Sequence, residues 1–236
     1  MIWEVKYGLN IPPGFEDLHT ESDIIEGLTK MKENNPSLRK AVVKVNDGFS
    51  GDGNGVFNYS GSEKVSDLKA WIKENLQKNL KLVATDLPFA VFLEKYKSMG
   101  GIVEEFLEGD IKESPSVQCR VTPTGDLEII STHDQELGGE SGQVYFGAHF
   151  PAAVDYAVEL GEMGLKVAAA LKERGVLGRF AVDFISVKEK EGWKHFPIEI
   201  NLRKGGTTHP FLMLQFLTDG RYNIEDGKYY TSKGHL

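Results

Sequence analysis

The chain has 236 residues, 40% of them hydrophobic and 26% charged, enough for one large domain or two small ones and unlike a disordered or fibrous chain. Its 27 basic against 35 acidic side chains give a net charge of -8, and no basic run is interleaved with aromatics, which argues against a duplex nucleic-acid binder. The longest apolar stretches, such as residues 211–217, fall far short of the ~20 residues a membrane span needs, and no leader pattern opens the chain, so a cytoplasmic protein without a membrane partner is expected. A single cysteine, Cys119, rules out an internal disulfide framework and a multi-cysteine metal site; a packed strand residue is the expectation, ahead of a catalytic thiol.

Residues 8–15, with two prolines, predict an extended leading segment. Thr20 and Asp23 resemble a weak capping box, and Ile24, Ile25, Leu28 and Met31 share the face of a helix that Pro36 closes. Ala41-Val42-Val43-Lys44-Val45 predicts a strand with Lys44 on the face of Val42. The glycine-rich segment 47–55 suits neither helix nor strand interior and predicts a hairpin or flap. A helix is expected from about Glu63, with Val65, Leu68, Trp71, Ile72 and Leu76 at helical spacing, and a shorter one from Pro88 to Gly100-Gly101. A strand from Ile102 to Leu107 follows, and the divide between residues 1–101, a small lobe with the flap, and residues 102–236, a second lobe, is expected before it.

In the second lobe, Val117 to Val121 and Leu127 to Ile130 flank a turn and predict a hairpin. Pro151 to Arg174 predicts a long helix weakened by Gly161 and Gly164. Arg179 to Val187 and His195 to Ile200 predict a second hairpin, and Pro210 to Leu217 a short apolar helix before a polar tail.

Asp183 on one strand of the second hairpin and Glu199 and Asn201 on the other form the strongest constellation. Period-two alternation puts Glu199 and Asn201 on one face, and hairpin pairing can bring Asp183 beside them. Three oxygen donors of this kind suit Mg²⁺, which takes one or two carboxylates and fills its octahedron with phosphate oxygens and water. Acidic residues at strand ends that are merely solvated are the alternative. The loop that follows, residues 201–210, crowds Arg203, Lys204, two glycines, two threonines and His209 together and suits an anion. Arg203 offers a rigid fork to carboxylate or phosphate, Lys204 a mobile point charge open to solvation, and His209 either a cap or a substrate contact. Residues 131–147 mix polar side chains with glycines and read as a substrate-side stretch or a solvated loop.

Ala41-Val42-Val43-Lys44, the flap, Val103-Glu104-Glu105-Phe106-Leu107-Glu108-Gly109, Asp183, Glu199-Ile200-Asn201 and Arg203 resemble, in this order, the ATP-grasp superfamily. The loop 201–211 looks like that of the branch containing the pheganomycin-type peptide ligases. The resemblance implies an α+β fold, two lobes with mainly antiparallel sheets clasping a nucleotide. It implies ATP as cofactor with Mg²⁺, or Mn²⁺ in its place, held by Asp183, Glu199 and Asn201. Lys44 would reach the phosphates, and the flap, with Ser50, Gly51 and Gly53, would cover them. Glu104, Glu105, Phe106 and Leu107 would form the hinge that holds adenine, with Glu113 or Glu108 on the ribose. Arg203, joined by Arg179, would stabilise an acyl phosphate. The implied activity is a carboxylate–amine ligase acting on a small-molecule carboxylate and an amine or peptide; an ATP-grasp small-molecule kinase and a nucleotide-binding module are the alternatives. Relatives of that branch carry a further N-terminal region, so a fragment or a stand-alone version is expected here. No protein-kinase order of loop and lysine, P-loop or Rossmann helix is present.

Overall fold

The computed structural model describes residues 6–48, 53–138 and 144–235. The chain divides into two compact units, residues 12–107 and residues 6–11, 108–138 and 145–235. No helix among the described residues is long and apolar enough to cross a membrane.

The unit of residues 12–107 is built on β1 (Gly14–Leu18), β2 (Lys40–Val45), β3 (Asn54–Asn58), β4 (Leu80–Leu82) and β5 (Gly101–Glu105), in the order β1-β5-β2-β3-β4. Helix α1 (Glu21–Asn34) starts as expected: Thr20 Oγ1 accepts the Asp23 amide at 3.1 Å and Asp23 Oδ2 accepts the Thr20 amide at 2.8 Å, a capping box. Its Ile24, Leu28 and Met31 meet Val43, Phe57, Phe92 and Val103 in one core. Helix α2 (Leu68–Asn79) begins later than Glu63, because Asp67 is the effective N-cap, its carboxylate accepting the Ala70 amide at 2.9 Å. Helix α3 (Phe89–Met99) follows Pro88 and stops at Gly100, at φ +72°. Because β5 lies between β1 and β2, the residues up to Leu107 belong with this sheet, beyond the divide expected at residue 101.

The other unit carries β6 (Lys112–Glu113), β7 (Pro115–Val121), β8 (Leu127–Gly138), β9 (Val144–His149), β10 (Gly178–Glu189) and β11 (Gly192–Asn201) in a six-stranded sheet, order β11-β10-β7-β8-β9, with β6 beside β10. Both expected hairpins, β7–β8 and β10–β11, are antiparallel. Residues 131–138 are strand and not loop, while 139–143 lie outside the described residues. Helix α4 (Ala157–Glu173) starts after Pro151, in a segment where Asp134 Oδ2 accepts the Ala153 amide at 2.8 Å. Its two glycines are contact points: a Cβ on Gly164 would stand 2.7 Å from Val117 Cγ1, and one on Gly161 2.9 Å from Ile224 Cγ1. The helix therefore lies closer to the sheet than alanine would permit.

Helix α5 (Thr208–Thr218) buries Phe211 but leaves Phe216 84% exposed, so its apolar composition does not mean an interior helix. The expected polar tail is a small sheet of β12 (Arg221–Asn223), β13 (Lys228–Thr231) and β14 (Gly234–His235). Tyr229, fully buried, packs edge-on to Phe150 and Phe211 at 5.4 and 6.2 Å between ring centroids.

Candidate functional site

Phe180, Val182 and Phe184 on β10 point into the core beneath α4, so alternation turns Ala181 and Asp183 to the opposite face. Register pairs Asp183 with Glu199 and Ala181 with Asn201, which brings the three oxygen-bearing side chains together. Asn201 Nδ2 donates to Asp183 Oδ2 at 2.9 Å, which leaves its amide oxygen as the atom able to meet a cation. Past Asp183 the pairing shifts, with Phe184 opposite Pro197, so β11 has one residue more than β10 there. Such a bulge is where a strand accommodates proline, which lacks an N–H, and where it re-aims a side chain.

The polar face continues over β7 and β8. Ser116 pairs with Asp183 and His133 with Ser116; Gln118 pairs with Ala181 and Ser131 with Gln118. All four are buried. Ser116 faces Asp183 across the strand pairing, and Gln118 Nε2 donates to Ser116 Oγ at 3.2 Å. Ser131 Oγ and His133 Nε2 lie 2.8 Å apart. Ser131 and His133 belong to the stretch 131–147 read as substrate-side or solvated loop; Ser116 and Gln118 were missed, although polar Ser116, Gln118 and Arg120 alternating with Val117, Cys119 and Val121 is the signal of a strand with one polar face.

Burial pushes the Asp183 carboxyl up to about 6; the Ser116 hydrogen bond opposes this, Glu199 adds to it, and Arg203 and Asn201 oppose it. The Arg203 amide donates to Asn201 O at 2.7 Å and its guanidinium to Lys204 O at 3.3 Å. The loop is then closed by Thr208 Oγ1, which accepts the Gly205 amide at 3.1 Å. Tyr145 on β9, within the stretch 131–147, also meets this loop: a Cβ on Gly206 would stand 2.8 Å from its ring, and burial, with nearby Asp183 adding to it, raises the pKa of its phenol. Lys204 and His209 are exposed, and Thr207, not His209, is the residue at the α5 N-cap.

In the other unit Lys44 forms an ion pair with Glu104, whose strand partner is Val42, and the two side chains are only 16% and 10% exposed. The Glu105 amide donates to Pro13 O at 2.8 Å and the Phe106 amide to Lys40 O at 3.3 Å, so the chain leading to Leu107 is tied into the sheet. Lys40 Nζ sits 5.3 Å from the Phe106 ring centroid. Gly53, at φ +148°, accepts the Val45 amide at 3.0 Å, and a Cβ there would run into Val45. Ser50 and Gly51 lie outside the described residues.

One expected residue, Glu113, is not brought to this face, and another, Arg179, lies on it but at a distance. Glu113 pairs with Ser186, whose side chain bonds His195 on the α4 side, and it stands near Asp134, Glu136 and Tyr156. Arg179 pairs with Arg120 beside Glu128, roughly 13 Å along β10 from Asp183 at strand rise.

The donor set fits a hard divalent cation. Among the described residues no three His, Cys, Asp or Glu side chains gather as a metal cluster, so the site is two carboxylates and one amide oxygen. Two adjacent carboxylates, one of them buried and shifted towards its neutral form, are stabilised when a cation joins them.

The chain is similar to several known proteins. The IQCH-like, ATP-grasp family pattern matches residues 63–225. The chain is 28% identical to the L-propargylglycine–L-glutamate ligase of Streptantibioticus cattleyicolor, over 96% of this chain and 46% of that protein. N5-carboxyaminoimidazole synthetase from Staphylococcus aureus complexed with ADP superposes with a TM-score of 0.58 at 18% identity, over 94% of this chain and 47% of that one. The biotin carboxylase domain of Hydrogenobacter thermophilus 2-oxoglutarate carboxylase, in complex with MgADP and bicarbonate, gives 0.59 at 16% identity, over 91% and 40%. The chain thus spans under half the length of each, and the structural likeness establishes the fold, which is ATP-grasp. The chain belongs to the IQCH-like ATP-grasp family.

Proposed function

We propose that the chain carries the catalytic groups of an ATP-dependent carboxylate–amine ligase, which forms an amide through an acyl phosphate and releases ADP and phosphate. The observation that carries the reading is the polar face on which Asp183, Glu199 and Asn201 meet, followed directly by the Arg203 loop. These three residues would hold Mg²⁺, or Mn²⁺, through hard oxygens. Bound there, the metal supplies positive charge to the β- and γ-phosphate oxygens of ATP.

The rest of the work falls to the chain itself. Lys44, fixed by Glu104, offers its ammonium to the phosphates, and the hinge up to Leu107 offers main-chain groups to adenine. Glu108, at the end of the hinge, is the acidic side chain remaining for the ribose. Arg203 holds the substrate carboxylate so that its oxygen attacks the γ-phosphorus, and its fixed charge then stabilises the oxyanion formed when the amine attacks the acyl carbon. Phosphate leaves with the C–O electron pair as the C–N bond forms, and the amine loses its proton to solvent. Arg179 has no part in this scheme. The relative that joins two amino acids by its name makes amino acids, L-glutamate among them, the first acids and amines to test. A cytoplasmic setting completes the reading.

The test supplies ATP, Mg²⁺, hydroxylamine and each candidate acid, and measures hydroxamate together with the nucleotide products. Acid-dependent hydroxamate with ADP is expected. AMP with pyrophosphate would overturn the acyl-phosphate route, and ADP with a phosphorylated small molecule but no hydroxamate would replace the ligase by a kinase.

A further inference from the structure

We infer that Ser116 is a positioning residue for the cation site, oriented by Gln118 to donate its proton to Asp183. The inference rests on the metal reading proposed above for Asp183, Glu199 and Asn201. Gln118 and Ser116 follow one another on the polar face of β7, both nearly fully buried, and Asp183 lies directly opposite Ser116.

The direction of the chain of hydrogen bonds follows from chemistry. Gln118 Nε2 can only donate, so Ser116 Oγ accepts from it at 3.2 Å, and the serine proton is directed to a second partner. That partner is the Asp183 carboxylate, which faces Ser116 across the β7–β10 pairing. On its other side Asp183 Oδ2 accepts from Asn201 Nδ2 at 2.9 Å. The carboxylate is thus held from two strands, β7 and β11, before any cation arrives. Donors of this kind fix the orientation of a ligand. An apolar residue at Ser116 would leave Asp183 free to turn away and Gln118 with a buried donor facing nothing.

The separation between holding the cation and holding the fold is measurable. ADP affinity is determined by calorimetry in EDTA and again in saturating Mn²⁺; the ratio of the two dissociation constants reads how well the protein engages the metal–nucleotide complex. Ser116→Ala is expected to reduce that ratio about tenfold or more, in the range typical of lost ligand-orienting partners, with ADP affinity in EDTA unchanged. Ser116→Thr, which keeps the hydroxyl, is expected to restore most of it, and Gln118→Met, of similar size without the donor, to fall between. Glu199→Gln in the same assay removes a ligand and is expected to abolish the Mn²⁺ dependence. If Glu199→Gln lowers the ratio while Ser116→Ala and Gln118→Met leave it at the wild-type value, the positioning role is overturned and the metal site stands. If the wild-type protein shows no Mn²⁺ dependence, the metal reading fails and takes this role with it. Should Ser116→Ala not fold, the comparison of Ser116→Thr with Gln118→Met decides.

Discussion

Asp183 and Glu199 stand directly opposite one another on β10 and β11, and the Glu199 carboxylate adds to the cost that burial already places on charge at Asp183. Glu199→Gln keeps the volume and removes that repulsion. Turnover is expected to fall by at least about a hundredfold, as for loss of a group that stabilises developing charge, while the melting temperature of the metal-free protein holds or rises. Wild-type turnover at ordinary Mg²⁺ in the variant would refute the ligand role of Glu199.

Lys44→Ala removes a half of a largely buried ion pair and strands Glu104. Two losses are expected: ATP affinity weakens by roughly 1.5–3 kcal/mol, the worth of a charge-assisted hydrogen bond, and folding stability drops by about 1–3 kcal/mol for the unsatisfied carboxylate. The double variant Lys44→Met, Glu104→Gln should recover the stability but not the ATP affinity. Calorimetry and urea unfolding read the two effects separately.

Stability should fall in mild acid because of His133. Burial against Phe150 and Phe211 lowers its pKa to about 4 from the model-peptide value of 6.5. The unfolded chain therefore binds the extra proton between those values, so this contribution is complete above pH 6.5 and is lost as pH falls towards 4. From pH 7 to pH 5 the loss is about 2 kcal/mol by linkage. Urea titrations at the two pH values check it, and His133→Gln should flatten the difference.

Cys119 should be inert in the native protein. It is fully buried, Gly164 packs on its sulfur, and burial pushes its thiol pKa far up. Modification by a disulfide reagent is expected only at the rate of unfolding, and fast labelling under native conditions would show that α4 opens locally.

The elements that sequence predicted well are those whose signal is local. The Thr20–Asp23 cap, the β-branched run of β2 and the Gly100 stop each depend on a few adjacent residues. Asp183, Glu199 and Asn201 were legible as a group because a hairpin converts sequence spacing into cross-strand neighbours. Ser116 was not, because it meets Asp183 only through the order in which strands assemble, and Tyr145 was visible only as part of the stretch 131–147, not as a neighbour of Gly206. Register, which spacing alone does not give, also places the other two expected residues: Glu113 on the opposite face, and Arg179 on the same face but far along its strand from Asp183. The exposed Phe216 shows the limit of composition, since an apolar helix buries only the face that finds a neighbour.

The small sheet after α5 sets where the chain can be cut. The family pattern ends at residue 225, ahead of Tyr229, whose hydroxyl lies 2.9 Å from Thr218 Oγ1 and whose ring covers Phe150 and Phe211. A chain cut after residue 225 would keep every proposed catalytic group and still lose the lid of an aromatic cluster that also includes His133. Water would then reach the imidazole from behind, and the polar face of β7, β8 and β10 would lose the dry wall against which it is built.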